Sequence, residues 1–376
     1  MNVLKRERAE FAARLPGLDE RLAGIPLMEM ERPGSPAIAL FRTMGGTSLL
    51  IPEAYGGIGA TPLAALRIQR AIGSRSPSLA IATCMHHFSL ATLVEMAAGQ
   101  ETPGLEALVL GHIASNKLYV ASGFAEGRTG QNVLSSAMEV EPINGGFRVN
   151  GSKRPCSLAA SMDLLTVSLS VPSKNASGTE LAVAVLESNT PGLERRPFWT
   201  SPVLAGAESD EIVLRDVQVH EEQIGRFGTP ESLDLVQLKG FVWFELLITA
   251  SYLGIGTALV ESVLKNGKGP VTERVEMTCE LEASMSALEN VAKSMPEDPC
   301  TEVLPRLLMV RYSVQRMLSR IVVHAAELHG GMAYIGSENL PYLVSAAGAL
   351  AFHPPSRLGI APALNAWLLG EPLSLG

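Results

Sequence analysis

The period of the apolar positions changes twice along the 376 residues. Leu4, Phe11, Leu15 and Leu18 fall on roughly one face of a helix over residues 1–22. Residues 33–36 interrupt it, 37–44 resume helix, and Gly45-Gly46 leads to Ile51-Pro52. Thr61-Pro62 places an N-cap before a proline at the first helical position, and that helix runs to about Gly73. Residues 78–98 hold no Asp, Glu, Lys or Arg before Glu95, so this helix is predicted to be buried on most sides.

From residue 118 the period shortens to two. The alternating runs 137–141 and 147–149 flank Asn144-Gly145-Gly146, a hairpin signal because Asn-Gly tolerates the positive φ of a tight turn. Asn150-Gly151 predicts a second turn. Residues 164–169, 181–186 and 211–219 read as strands, with a polar loop at 173–178 and a turn at 190–193. The strands end near Gly225, which suggests a small β-barrel-like unit.

Helical signals return from residue 228. Residues 235–265 form a long apolar stretch, followed by helices over 270–294 and 304–328. The expected division is a helical domain at 1–116, a β domain at 117–227 and a helical bundle at 228–376. The fold class is α+β and mostly helical.

Composition narrows the class. A hydrophobic fraction of 47% and a mean hydropathy of +0.20 are high for a soluble monomer and suggest a buried oligomer interface. The net charge of -8 comes without a basic block, which argues against nucleic acid. Cys84, Cys156, Cys279 and Cys300 lack metal-ligand spacing and read as reduced thiols of a cytoplasmic protein. The first fifteen residues are charged throughout and have no apolar core, unlike a signal peptide. The apolar runs are interrupted by His, Glu and Gly and fit core helices better than membrane spans.

Two features carry candidate chemistry. Glu245 is the only charged side chain between Lys239 and Glu261. Burying a lone carboxylate costs several kcal/mol unless it is paired or protonated, and a raised pKa suits a general base. It also reads as a structural or interface carboxylate. His86 and His87 sit in the middle of the apolar helix, about 100° apart, so both are not expected to face one ligand. Either reads as a packed, hydrogen-bonded core histidine or as a pocket residue.

Order and spacing then bring in a family. Pro52-Glu53-Ala54-Tyr55-Gly56-Gly57 is followed by Ala125-Glu126-Gly127-Arg128-Thr129-Gly130-Gln131-Asn132. Asn150-Gly151-Ser152-Lys153 comes next, and His329-Gly330-Gly331-Met332 comes late. Over nearly the whole chain this resembles the acyl-CoA dehydrogenase superfamily. The resemblance implies FAD, an N-terminal helical domain, a middle β domain, a C-terminal four-helix bundle, and a homodimer or homotetramer. It places Phe124, Ala125, Gly130 and Gln131 against the flavin, Pro155, Cys156 and Ser157 on its other edge, and Glu327, Gly330 and Gly331 near its pyrophosphate.

The chain departs from the pattern at several of these positions. The Arg and Phe that hold the adenine side are absent from 264–269. Glu327 replaces a Gln, and Pro155 replaces a Trp. The usual C-terminal base glutamate falls at Pro354. A base in one branch, carried on the 235–265 helix, falls at Phe244 beside Glu245. His353 is the alternative base, with a reference pKa of about 6.5 suited to proton transfer.

The expected reaction is α,β-dehydrogenation of an acyl thioester on CoA or an acyl carrier protein, with Glu245 or His353 taking the α-proton and an electron-transfer partner reoxidising FAD. The alternative is a flavin-dependent monooxygenase fed by a flavin reductase. There His86 or His87 and His353 manage protons, and no α-base is needed. A third reading is a flavin-free enzyme or scaffold.

Overall fold

The computed structural model describes residues 2–98, 104–127, 136–174, 178–227 and 235–373. Seven helices come first: α1 (Lys5–Arg14), α2 (Leu18–Ala23), α3 (Leu27–Met30), α4 (Pro36–Thr43), α5 (Pro62–Arg75), α6 (Pro77–Ala98) and α7 (Leu105–Asn116). Leu4, Phe11, Leu15 and Leu18 are all buried, as their spacing predicts. Pro16-Gly17 nevertheless splits the expected single helix, with Gly17 at φ +79°. Thr61 caps α5 by accepting from the Ala64 amide. At α6 the Ser76 hydroxyl caps by accepting from the Leu79 amide, and the buried Glu31 carboxylate, distant in sequence, accepts from the amide and hydroxyl of Ser78.

Eight strands follow: β1 (Val120–Gly123), β2 (Glu139–Ile143), β3 (Gly146–Cys156), β4 (Leu164–Pro172), β5 (Thr179–Glu187), β6 (Leu193–Arg196), β7 (Asp210–His220) and β8 (Ile224–Arg226). They form two four-stranded sheets, ordered β1-β4-β5-β8 and β2-β3-β7-β6. β1 runs parallel to β4, and the other pairs are antiparallel.

Ile143 faces Gly146, so Asn144-Gly145 closes the predicted hairpin with Gly145 at φ +80°. Asn150-Gly151 is not a turn. β3 continues through it, with a register shift against β7 between Val149 and Gly151. The Asn150 side chain accepts from the Asp216 amide and donates to the Asp216 carboxylate, so the extra residue is absorbed as a bulge.

The last block holds α8 (Leu235–Lys265), α9 (Val271–Ser294), α10 (Cys300–His329), α11 (Gly331–Ile335), α12 (Asn339–Gly348) and α13 (Arg357–Leu368). α8 is the central helix, packed against α5, α6, α9, α10 and α12. It crosses α5 closely: a Cβ on Gly254 would stand 2.2 Å from the Arg70 carbonyl oxygen, and one on Gly73 2.2 Å from that of Ser251. α6 and α8 are long and apolar enough to cross a membrane, and both are largely enclosed by other elements. The architecture is thus helical, then β, then helical, as the changes of period predict.

Candidate active site

The two Gly-containing motifs of the β region are joined by one buried ion pair. Lys153 Nζ, fully buried on β3, donates to Glu126 Oε1 at 2.6 Å and to the hydroxyls of Ser136 and Ser168. Burial lowers the Lys153 pKa, and Glu126 opposes that shift. Glu126 also accepts from the Ala137 amide, so it brackets the loop between β1 and β2 from both ends. Phe124 and Ala125 begin that loop, and the Ala125 carbonyl accepts from the Arg154 amide at 2.7 Å. Gly130 and Gln131 lie outside the described residues.

On the opposite strand Pro155 is exposed and Cys156 is buried. Burial pushes the Cys156 thiol up to about 12, so it stays protonated and inert. Ser157 Oγ is buried and shares a hydrogen bond with Ser209 Oγ at 2.9 Å.

An aromatic wall connects this region to the bundle. Phe124 meets Phe88 of α6 edge-on, with ring centres 5.2 Å apart, and Phe88 meets Phe244 of α8 at 5.8 Å. Phe241 stacks on Phe244, and the His353 ring lies 6.4 Å from Phe244 and 5.4 Å from Tyr252. His353 Nε2 and the Tyr252 hydroxyl are 2.8 Å apart. Burial, reinforced by the Arg311 charge, pulls the His353 pKa down to about 3, so the ring is neutral at ordinary pH.

Glu245 lies beneath this wall, fully buried, and it is not the lone carboxylate that its sequence neighbourhood implies. Both of its oxygens accept from Arg311 Nη1, at 2.7 and 2.8 Å. Burial raises its carboxyl to about 7, although the Arg311 charge and hydrogen bonds act the other way. Arg311 is itself fully buried and also donates to the carbonyls of His353 (2.6 Å) and Pro354 (3.1 Å). Sequence reasoning missed Arg311. The available signal was the demand for a cation that an isolated buried carboxylate creates.

The two histidines of α6 diverge as their 100° offset predicts. His86 Nε2 lies 2.8 Å from the Thr47 carbonyl, and Nδ1 accepts from the Val120 amide at 3.0 Å, so the ring proton sits on Nε2. Burial lowers its pKa to about 4. His87 is equally buried, against Phe41 and the His86 ring, but neither of its nitrogens has a partner among the described residues. The Thr47 hydroxyl is a third buried, unpartnered polar atom in this neighbourhood.

Glu327, Gly330 and Gly331 stand apart from the other candidates. Sixteen residues of α10 separate Glu327 from Arg311, about 24 Å of helix. The Glu327 side chain is 69% exposed and lies 3.6 Å from His324.

A cavity of 380 Å³ opens between α6, α7 and the β4–β5–β8 edge. That is a size suited to a small molecule. Phe124, Met96 and Val183 give it apolar walls, and Ser89 and Thr166, hydrogen-bonded to each other at 3.0 Å, give it a polar patch. Glu106, Glu187 and Glu222 are its acidic lining.

This region fits a flavin ring. Aromatic faces at Phe124, Phe88 and Phe244 suit a flat apolar body, and the family resemblance puts the Ser157 hydroxyl at one edge of it.

No family model matches the chain. It is 43% identical to isobutylamine N-hydroxylase of Streptomyces viridifaciens over 365 residues, 96% of each chain. It is 26% identical to mitochondrial isovaleryl-CoA dehydrogenase of Arabidopsis thaliana over 239 residues, 60% of this chain and 55% of the plant protein. Among solved structures it resembles KijD3 in complex with FMN and a dTDP-linked amino-keto sugar, with a TM-score of 0.84 at 18% identity, covering 98% of this chain and 94% of the other.

Proposed function

The chain belongs to the acyl-CoA dehydrogenase superfamily and is a flavin-dependent oxidoreductase; from that premise we propose that it N-hydroxylates a small aliphatic amine. This is the monooxygenase alternative, preferred here to thioester dehydrogenation. The observation that carries it is the residue at the aromatic wall. A histidine with one nitrogen engaged stands there, while the nearby carboxylate, Glu245, is locked on Arg311. Removal of an α-proton needs a free base; oxygenation needs a proton donor and a dry pocket.

The balance is R–NH2 + O2 + 2e⁻ + 2H⁺ giving R–NHOH + H2O. Reduced flavin, when bound, supplies the two electrons and activates O2. Phe124, Ala125 and Ser157 hold the ring, and Phe88 and Phe244 exclude water from its face. The apolar cleft takes the alkyl chain, and burial there favours the neutral, nucleophilic amine over the ammonium ion. The acidic lining draws the cationic amine from solution before it is desolvated. The neutral His353 ring donates a hydrogen bond to the oxygen that leaves as water, the protons coming from the attacking amine and solvent, and His87 bonds the ring from the α6 side.

The truncated flavin FMN suits the chain better than FAD. The adenine-side Arg and Phe are missing, and the exposed Glu327 carboxylate repels a pyrophosphate. The reduced form comes from a separate NADH-dependent flavin reductase in the cytoplasm. A homodimer or homotetramer is supported by exposed Met332, Ile335, Leu358 and Leu368 on the C-terminal helices.

The test supplies NADH, a flavin reductase, FMN or FAD, and a series of primary alkylamines under 18O2. Amine-dependent 18O in a hydroxylamine product is the expected result. Anaerobic bleaching of bound flavin by an acyl thioester, with no labelled hydroxylamine, would restore the dehydrogenase reading. A protein that takes up neither flavin would remove both.

A further inference from the structure

His353 lies in a segment that supplies few hydrogen bonds of its own. Pro354 and Pro355 have no amide proton, and the His353 amide reaches only the Leu350 carbonyl, at 3.3 Å. The segment is instead held from α10. Arg311 donates to the carbonyls of His353 and Pro354, and the neighbouring Tyr312 hydroxyl donates to that of Pro355 at 2.8 Å. Arg311 is fixed in turn by both oxygens of Glu245 on α8. The ring is then met from α8 by Tyr252, seven residues along the same helix from Glu245.

The Tyr252–His353 bond also has a direction. The Tyr252 side chain is buried, and burial raises its pKa, so the phenol keeps its proton. That O–H donates to His353 Nε2, the hydrogen-bond partner the described residues give it. A neutral imidazole that accepts at Nε2 carries its proton on Nδ1.

We propose that Tyr252 and Arg311 are positioning residues for His353: Tyr252 fixes the ring proton on Nδ1, and Arg311, braced by Glu245, fixes where the ring stands. The inference rests on His353 as the proton-handling residue of the hydroxylase reading. It explains why a costly buried ion pair occupies a core that apolar residues would fill. The pair grips main-chain carbonyls, so it holds position 353 whatever side chain stands there, and Tyr252 then selects the tautomer. The Nδ1–H is the donor left over for a reacting oxygen.

The test needs neither flavin nor turnover. Full-length protein carrying 15N-histidine is compared by NMR with Tyr252→Phe, the His353 lines being assigned by their loss in His353→Gln. The expected result is an acceptor-type Nε2 and a protonated Nδ1 in the wild type, with that preference lost in Tyr252→Phe. A wild-type ring protonated on Nε2, or a preference unchanged by the substitution, overturns the Tyr252 half.

For Arg311, the double variant Glu245→Leu, Arg311→Met replaces the pair with apolar side chains. Hydrogen exchange of residues 349–356 is expected to quicken roughly tenfold or more, since several net hydrogen bonds are lost, and the His353 lines shift. Unchanged exchange and unchanged lines overturn that half. Should the double variant not fold, Arg311→Lys, which keeps the charge but cannot reach Glu245 and two carbonyls together, is read by the same exchange. If the tautomer behaves as expected but no amine is oxygenated, the inference stands and the hydroxylase reading falls alone.

Discussion

His86 on α6 and His353 near the C-terminus share one electrostatic condition and differ in wiring. Burial keeps both neutral, with pKa values pulled to about 4 and about 3. His86 spends both nitrogens on backbone groups of Thr47 and Val120, so it ties the 46–48 turn to the first strand and has nothing left for a ligand. His353 spends one nitrogen on Tyr252 and is held by its own carbonyl, which leaves the other nitrogen for chemistry. A depressed pKa alone does not mark a catalytic histidine; the count of uncommitted ring nitrogens separates the two.

The largest effect that tests this contrast is on turnover. His353→Ala keeps the carbonyls that Arg311 grips, so the main chain stays in place. It leaves the buried Tyr252 hydroxyl without an acceptor, a cost of about 1–3 kcal/mol in stability. Loss of the hydrogen-bond donor to the reacting oxygen is expected to lower hydroxylamine formation about 10²- to 10³-fold. Urea unfolding and product assay on the same sample check this. A variant that still makes product within a few fold of wild type breaks the assignment.

His86→Leu is expected to show the reverse pattern. It orphans a buried carbonyl and a buried amide, at about 1–3 kcal/mol each. The pH dependence gives a second measure. A histidine whose folded pKa lies below its unfolded value contributes stability that is complete above about 6.5 and is lost as pH falls through the folded pKa. For His86 that window runs from 6.5 down to about 4 and is worth up to about 3 kcal/mol. The wild type therefore loses stability in acid, and His86→Leu flattens that slope by one proton. An unchanged slope in the variant means that His86 is not buried neutral as drawn.

Most of the fold was legible from the sequence because it depends on local period. The runs of three-to-four and two, the Asn144-Gly145 hairpin and the cap at Thr61 all act within a few residues. What escaped depends on partners far along the chain. Asn150-Gly151 reads as a turn until Asp216, 66 residues on, converts it into a bulge. Glu245 reads as a lone carboxylate until Arg311, also 66 residues on, is seen to hold it. α10 carries Arg306, Arg311, Arg316 and Arg320, and its pattern alone does not mark Arg311 as the one that is fully buried. The family motifs nominated Phe124, Ala125 and Ser157, but the aromatic chain from Phe124 through Phe88 and Phe244 to His353 joins four separate stretches and had no linear signature.

His87 sharpens the comparison because neither of its nitrogens is committed among the described residues. An imidazole buried without partners costs stability, since its polar atoms give up water and gain nothing. Replacing it with Leu removes those atoms and breaks no hydrogen bond, so His87→Leu is expected to leave urea stability unchanged or to raise it by up to about 1 kcal/mol. A residue retained at such a cost has its use when a ligand is present. If His87 bonds the flavin ring, the same variant binds reduced flavin about tenfold more weakly, one net hydrogen bond's worth. Calorimetric titration and unfolding of one preparation decide between the two roles. A loss of stability of about 2 kcal/mol or more, with flavin affinity unchanged, would make His87 a second His86, satisfied within the fold and outside the chemistry.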